Sequence, residues 1–200
     1  MTATALPVAA QAVLDFWFLP AAAAGHGRFR PEWFRKDDAF DAAIRQAFAA
    51  PVEEALAGGL EHWETSACGS LARIVLLDQF TRNLFRGSAK AFAGDPAALA
   101  LAERMVGSGQ DKNLPPLQRM FVFLPFEHSE SLLNQERSVA LFAGLRREAQ
   151  DAAFDAVYDY AVRHRDIVER FGRFPHRNAA LGRTSTDEEV EFLKQPGSSF

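Results

Sequence analysis

The sequence predicts an all-α fold, an array of antiparallel helical hairpins. Apolar residues recur at steps of three and four, capping residues and prolines stand where helices would start or stop, and no series of alternating strands separated by hairpin turns occurs. Short links between successive helices favour antiparallel neighbours. The sequence carries no clear repeat of fixed period that would establish a solenoid.

A first helix runs from about Pro7 to Phe18, with Val13, Leu14, Phe16 and Trp17 as its apolar surface. Ala21 to Gly27 reads as a loop. Asp37 and Asp38 suit a helix N-terminus, Phe40, Ile44, Ala47 and Phe48 continue one face, Pro51 interrupts or restarts the helix, and Gly58 with Gly59 ends it. A buried helix spans about Ser70 to Phe85. The next begins at Asp95-Pro96, Asp as cap and Pro in the first turn, and stops near Gly107. Pro115 and Pro116 open a short helix bearing Leu117, Met120, Phe121 and Leu124, which Pro125 should break. From about Ser129 to Glu148 an amphipathic helix uses Leu132, Leu133, Val139 and Phe142. Another, from about Asp151 to Phe171, uses Phe154, Val157, Tyr160, Ala161, Ile167 and Val168. After an irregular stretch to Arg183, Ser185 with Glu188 or Thr186 with Glu189 matches a capping box and opens a last short helix.

A length of 200 residues with 48% hydrophobic content fits a single helical domain over residues 1–200, with a core that needs no staples. A net charge of -4 gives no sequence-wide attraction to nucleic acid or anionic membrane. The lone Cys68 forms no internal disulfide, and no Cys/His set has zinc spacing, so neither metal nor cofactor is expected and a reducing, cytoplasmic setting is. Met1 to Ala12 lacks the pattern of a signal peptide, and no stretch approaches the roughly 20 apolar residues of a membrane span.

Three segments concentrate polar residues among apolar ones. In Leu76 to Gly87, Asp78 and Arg82 share a helical stripe with Leu71, Val75 and Phe85, which pairs them either as an internal ion pair or as a pocket wall extended by Asn83 and Arg86. In Phe123 to Glu130, His128 stands between Glu127 and Glu130 and could act as acid, base or ligand, while Ser129 and Glu130 equally suit a helix start. The third segment has six Arg between Arg163 and Arg183 against Asp166 and Glu169. There His164 lies on an apolar face and reads as a core histidine. His176, in a loop beside Arg173, Arg177 and Asn178, is the better ligand candidate; alternatively these arginines bridge carbonyls at helix ends. The triplet His164-Arg165-Asp166 copies a kinase motif without its other parts and is set aside.

Leu76 to Gly87, Pro125 to Glu130 and Arg170 to Thr186, with Val13 to Phe18, Trp33-Phe34 and Gly197 to Phe200, closely resemble a mainly bacterial domain-of-unknown-function family, number nine-two-four. The resemblance covers nearly the whole chain and implies an all-helical, tetratricopeptide-like fold, with no established activity. At Thr81 the family-like pattern usually has Pro, so no kink is expected there.

The expected function is a binding module whose groove takes a small anionic molecule or an acidic peptide. Its ligand residues would be Arg82, Asn83, Arg86, His128, Arg173, His176, Arg177 and Asn178, provided the three segments meet. The alternatives are a hydrolase of a phosphate or carboxylate substrate, with Glu127 or His128 as base, and a purely structural interaction domain.

Overall fold

A computed structural model describes residues 5–199; residues 1–4, and Phe200 at the end of the C-terminal motif, lie outside the described residues. The described chain is helical with no strand and divides into two compact units. One comprises the chain up to Arg86 together with Lys90–Pro125, the other Gly87–Ala89 and the chain from Phe126. No helix among the described residues is long and apolar enough to cross a membrane.

In the first unit α1 spans Val8–Phe18 and α2 spans Asp38–Leu56, and α3, Ala67–Ile74, runs through a π-helical stretch, Val75–Phe80, into α4, Thr81–Leu84. Then come α5, Asp95–Ser108, and α6, Pro116–Glu127, whose last two residues belong to the second unit. Local chemistry explains several boundaries. The Asp37 carboxylate accepts from the N–H groups of Ala39 and Phe40, and Ser66 accepts from Gly69 N–H. The last carbonyls of α1 are taken by side chains: Arg30 Nη1 donates to Phe16 O and Trp17 O, and Trp33 Nε1 to Trp17 O.

Trp17, fully buried, centres the aromatic core, with Phe80 and Phe121 edge-on at 5.4 and 5.5 Å and Trp33 stacked at 5.9 Å. Pro51 lies inside α2 without ending it, since one missing N–H is outweighed by burial of Ile44, Phe48, Val52 and Ala55 along one face. Thr81 continues the helix, its hydroxyl donating to Leu77 O at 2.8 Å.

Asp95 is not the cap of α5 but its first residue, after Gly94, because its carboxylate is drawn to Arg82. Gly94 permits this approach: a Cβ there would sit 2.2 Å from Leu77 O. Gly94→Ala should therefore cost about 1–3 kcal/mol in urea unfolding, through overpacking against backbone that cannot yield.

In the second unit α7, Leu132–Ala149, and α8, Ala153–Phe171, pack along one another as a hairpin, followed by α9, Asp187–Leu193. Pro125 does not break α6, which runs on to Glu127; in the last turn Pro removes only one hydrogen bond. The expected start at Ser129 moves to Leu132 because residues 128–131 form a turn, in which Ser129 Oγ accepts from Ser131 N–H and from Asn134 Nδ2. The shift changes the buried face. Leu132 and Leu133 are exposed, whereas Gln135, Ser138, Phe142 and Leu145 point inward. Tyr160 on α8 is also exposed, while Phe154, Ala161, Ile167 and Val168 are buried as their spacing predicts. Thr186 and Glu189 form the capping box of α9.

Candidate functional site

The first polar segment up to Arg86 belongs to the first unit, and its cations are answered there. Arg82 makes a bidentate pair with Asp95 at 2.9 and 3.1 Å and lies 3.4 Å from Asp78. Burial works against the charge on Arg82, but the two carboxylates raise its pKa overall. Asn83 Nδ2 donates to Asp41 at 2.7 Å, and Arg86 grips the same carboxylate at 2.5 and 3.0 Å. Burial would raise the Asp41 pKa, yet the hydrogen bonds from Arg86 and Asn83 prevail and lower it. Arg82, Asn83 and Arg86 thus brace α2, α4 and α5 of this unit.

The second and third polar segments meet in the second unit. Glu130 receives Arg183 through both guanidinium arms, at 2.6 and 2.9 Å, and the Phe174 N–H at 2.8 Å, while Arg183 also donates to Phe174 O at 3.2 Å. Both backbone groups of Phe174 are therefore tied to one ion pair. A second pair lies beside it: Arg173 holds Glu189 at 2.6 and 2.8 Å, Asn178 donates to Glu189 at 3.3 Å and accepts from Arg183 at 2.9 Å. Arg173 and Asn178 anchor α9 to the loop before it.

His164, His176 and Arg177 gather around the fully buried Phe174 ring. His164 meets it edge-on at 5.5 Å, His176 lies at 5.6 Å, and the Arg177 guanidinium covers it at 4.5 Å. His128 lies 6.4 Å from His164, ring centre to ring centre, and Glu127 Oε1 is 3.3 Å from His164 Nδ1. His164 and Arg177 are buried, His128 and His176 half-buried. Three imidazoles and a guanidinium thus share one neighbourhood, two of them near solvent.

The tautomer of His164 is set by its partners. Nδ1 is 2.8 Å from Tyr160 O, a group that only accepts, so Nδ1 carries the hydrogen and Nε2 the lone pair. Burial pushes the His164 pKa down to about 3, with the Tyr160 carbonyl opposing and His128, Arg177 and His176 adding to the fall. The ring is neutral at pH 7, so its contact with Glu127 is an N–H contact and not an ion pair.

A stability consequence follows by linkage. Between pH 6.5 and about 3 the unfolded chain binds a proton at His164 that the folded chain refuses, so stability falls as pH drops through that window. The expected slope from this residue is about 1.4 kcal/mol per pH unit below 6.5. Urea unfolding at pH 7, 6 and 5 measures it, and in His164→Gln the contribution should vanish.

Sequence reasoning singles out His128, His176 and Arg177 and places His164 on an apolar face. It does not single out Phe174, Glu130, Arg183 and Glu189 as site-building residues, and only the Thr186–Glu189 box signals any of them. A cleft of about 490 Å³ between the end of α7 and the start of α8 shares no lining residue with the histidine cluster. Its Arg146 is paired with Asp155 and covers Tyr158.

These features define an all-helical protein that carries a cluster of imidazoles and one guanidinium over a buried phenylalanine. The chain belongs to the family described as Bacterial protein of unknown function (DUF924), which matches residues 13–197. It is similar to a solved structure, Protein of Unknown Function ATU0120 from Agrobacterium tumefaciens, at 37% identity over 92% of this chain and 96% of that chain, with a TM-score of 0.78. No curated protein matches it.

Proposed function

We propose that the second unit is a binding module for a small oxyanion, a carboxylate or phosphate carried by a small molecule or an acidic peptide. The gathering of His164, His176 and Arg177 around Phe174, with His128 beside His164, carries this reading. Arg177 supplies fixed positive charge in a poorly solvated place, where an anion gains most from it. The half-buried His128 and His176 supply N–H donors at the rim. Arg173 and Asn178 hold the loop, and Arg82, Asn83 and Arg86 are assigned to bracing within the first unit. The lone Cys68 suits a reducing setting, which we take to be the cytoplasm.

The hydrolase alternative is less well supported. It needs Glu127 or His128 as base, and the Glu127 carboxylate faces the buried His164 at 3.3 Å, within the second unit's interior.

Sulfate and phosphate, added at constant ionic strength, should raise the melting temperature relative to chloride, because a ligand of the folded state stabilises it. His176→Ala, at a half-buried position, should keep the fold and lose the response. Equal melting temperatures in sulfate and chloride would contradict the reading.

A further inference from the structure

We infer that Gln135 is the positioning residue of this site, the group that fixes His128 in place; the inference rests on the oxyanion-binding reading. Gln135 is fully buried on α7, and its Nε2 donates to Glu127 O and to Ser129 O, both at 2.6 Å. The two carbonyls flank His128. A side-chain amide has two N–H groups, and both are spent on the backbone on either side of one residue. Glu127 closes α6 and Ser129 lies in the turn before α7, so the carbonyls on either side of His128 stand where the helical ladder has ended.

The same bonds explain why a glutamine is buried where an apolar residue is expected. Two carbonyls facing the interior need donors, and leaving them without any would cost more than burying the amide. Glu127 is held by the same clamp, and its carboxylate meets His164. The position of His128 relative to His164, and of Glu127 beside it, is thereby set from α7, by a residue with no solvent-exposed surface. Ser138 provides the control. It is equally buried, one turn further along the same face, and its Oγ has no hydrogen-bond partner among the described residues.

The test compares wild type with Gln135→Met, Gln135→Glu and Ser138→Ala. Met keeps the length and lacks both donors. Glu, protonated when buried, keeps the volume and one donor. Sulfate affinity from calorimetry should fall about tenfold in Gln135→Met, by a smaller factor in Gln135→Glu, and stay within about twofold of wild type in Ser138→Ala. In the sulfate-free proteins the His128 imidazole NMR signals should move in the same order.

If Gln135→Met does not fold, Gln135→Glu against Ser138→Ala decides. A His128 signal unchanged in the Gln135 variants, or moved equally in Ser138→Ala, would overturn the assignment. Absence of sulfate binding by wild type would instead overturn the binding reading, and the sulfate-free imidazole signals would still judge Gln135.

Discussion

Glu189→Ala is expected to destabilise the second unit by about 1.5–3 kcal/mol, the range for losing hydrogen bonds to a charged group, because the Arg173 guanidinium left behind still reaches solvent. Glu189 is 2% exposed, and its carboxylate is held to a pKa of about 2, first by Arg173 and then, against burial, by the Thr186 N–H and Asn178. Removing it strands the Thr186 N–H and leaves Arg173 with Thr184 O and the Asn178 amide with Ser185 Oγ as their remaining acceptors. It also abolishes the capping box, itself worth about 1 kcal/mol. Arg173→Ala should also destabilise the unit, since it takes from the Glu189 carboxylate its main partner. Urea midpoints with an unchanged slope would measure both. A loss below about 1 kcal/mol in Glu189→Ala, no more than the cap alone, would mean that the network adds little to holding α9.

Phe174→Ala should cost about 3–5 kcal/mol by opening a cavity in a core it shares with Ile167 and Val168. Its backbone would remain tied to Glu130 and Arg183, so the loop stays tethered and the loss is that of the ring. The functional effect goes beyond stability. Arg177, His164 and His176 all rest on that ring, and without it they lose the one contact they share. The variant should therefore lose the sulfate-induced rise in melting temperature even below its own transition. Phe174→Leu, which retains apolar volume but no aromatic face, should recover part of the stability and little of the response.

Features written in short-range chemistry are legible in the sequence. Asp37 as a cap, the Thr186–Glu189 box and the Asp78–Arg82 pair each involve residues within four positions, so spacing alone reveals them. The helical class follows from periodicity in the same way, and the family membership from long motifs. The register of α7 is not legible. Leu132 and Leu133 have the spacing of core residues, but the carbonyls of Glu127 and Ser129 demand Gln135 on the inward face, and no periodicity argument contains that demand. The second partner of Arg82, Asp95, is 13 residues away, and Glu130 meets Arg183 across 53. Such pairs exist only once the chain has folded. Phe174 shows the same limit from the apolar side: one phenylalanine among 18 becomes distinctive only through the imidazoles and guanidinium that settle on it.

The most direct test of the oxyanion-binding claim is to follow the five histidine imidazoles by nitrogen-correlated NMR while sulfate replaces chloride at constant ionic strength. The expected result is a common, saturable movement of the His128, His164 and His176 signals, with His26 and His62 of the first unit unmoved. If no signal moves, or all five drift together without saturation, the histidine cluster does not bind an oxyanion, and its role is to hold the second unit together.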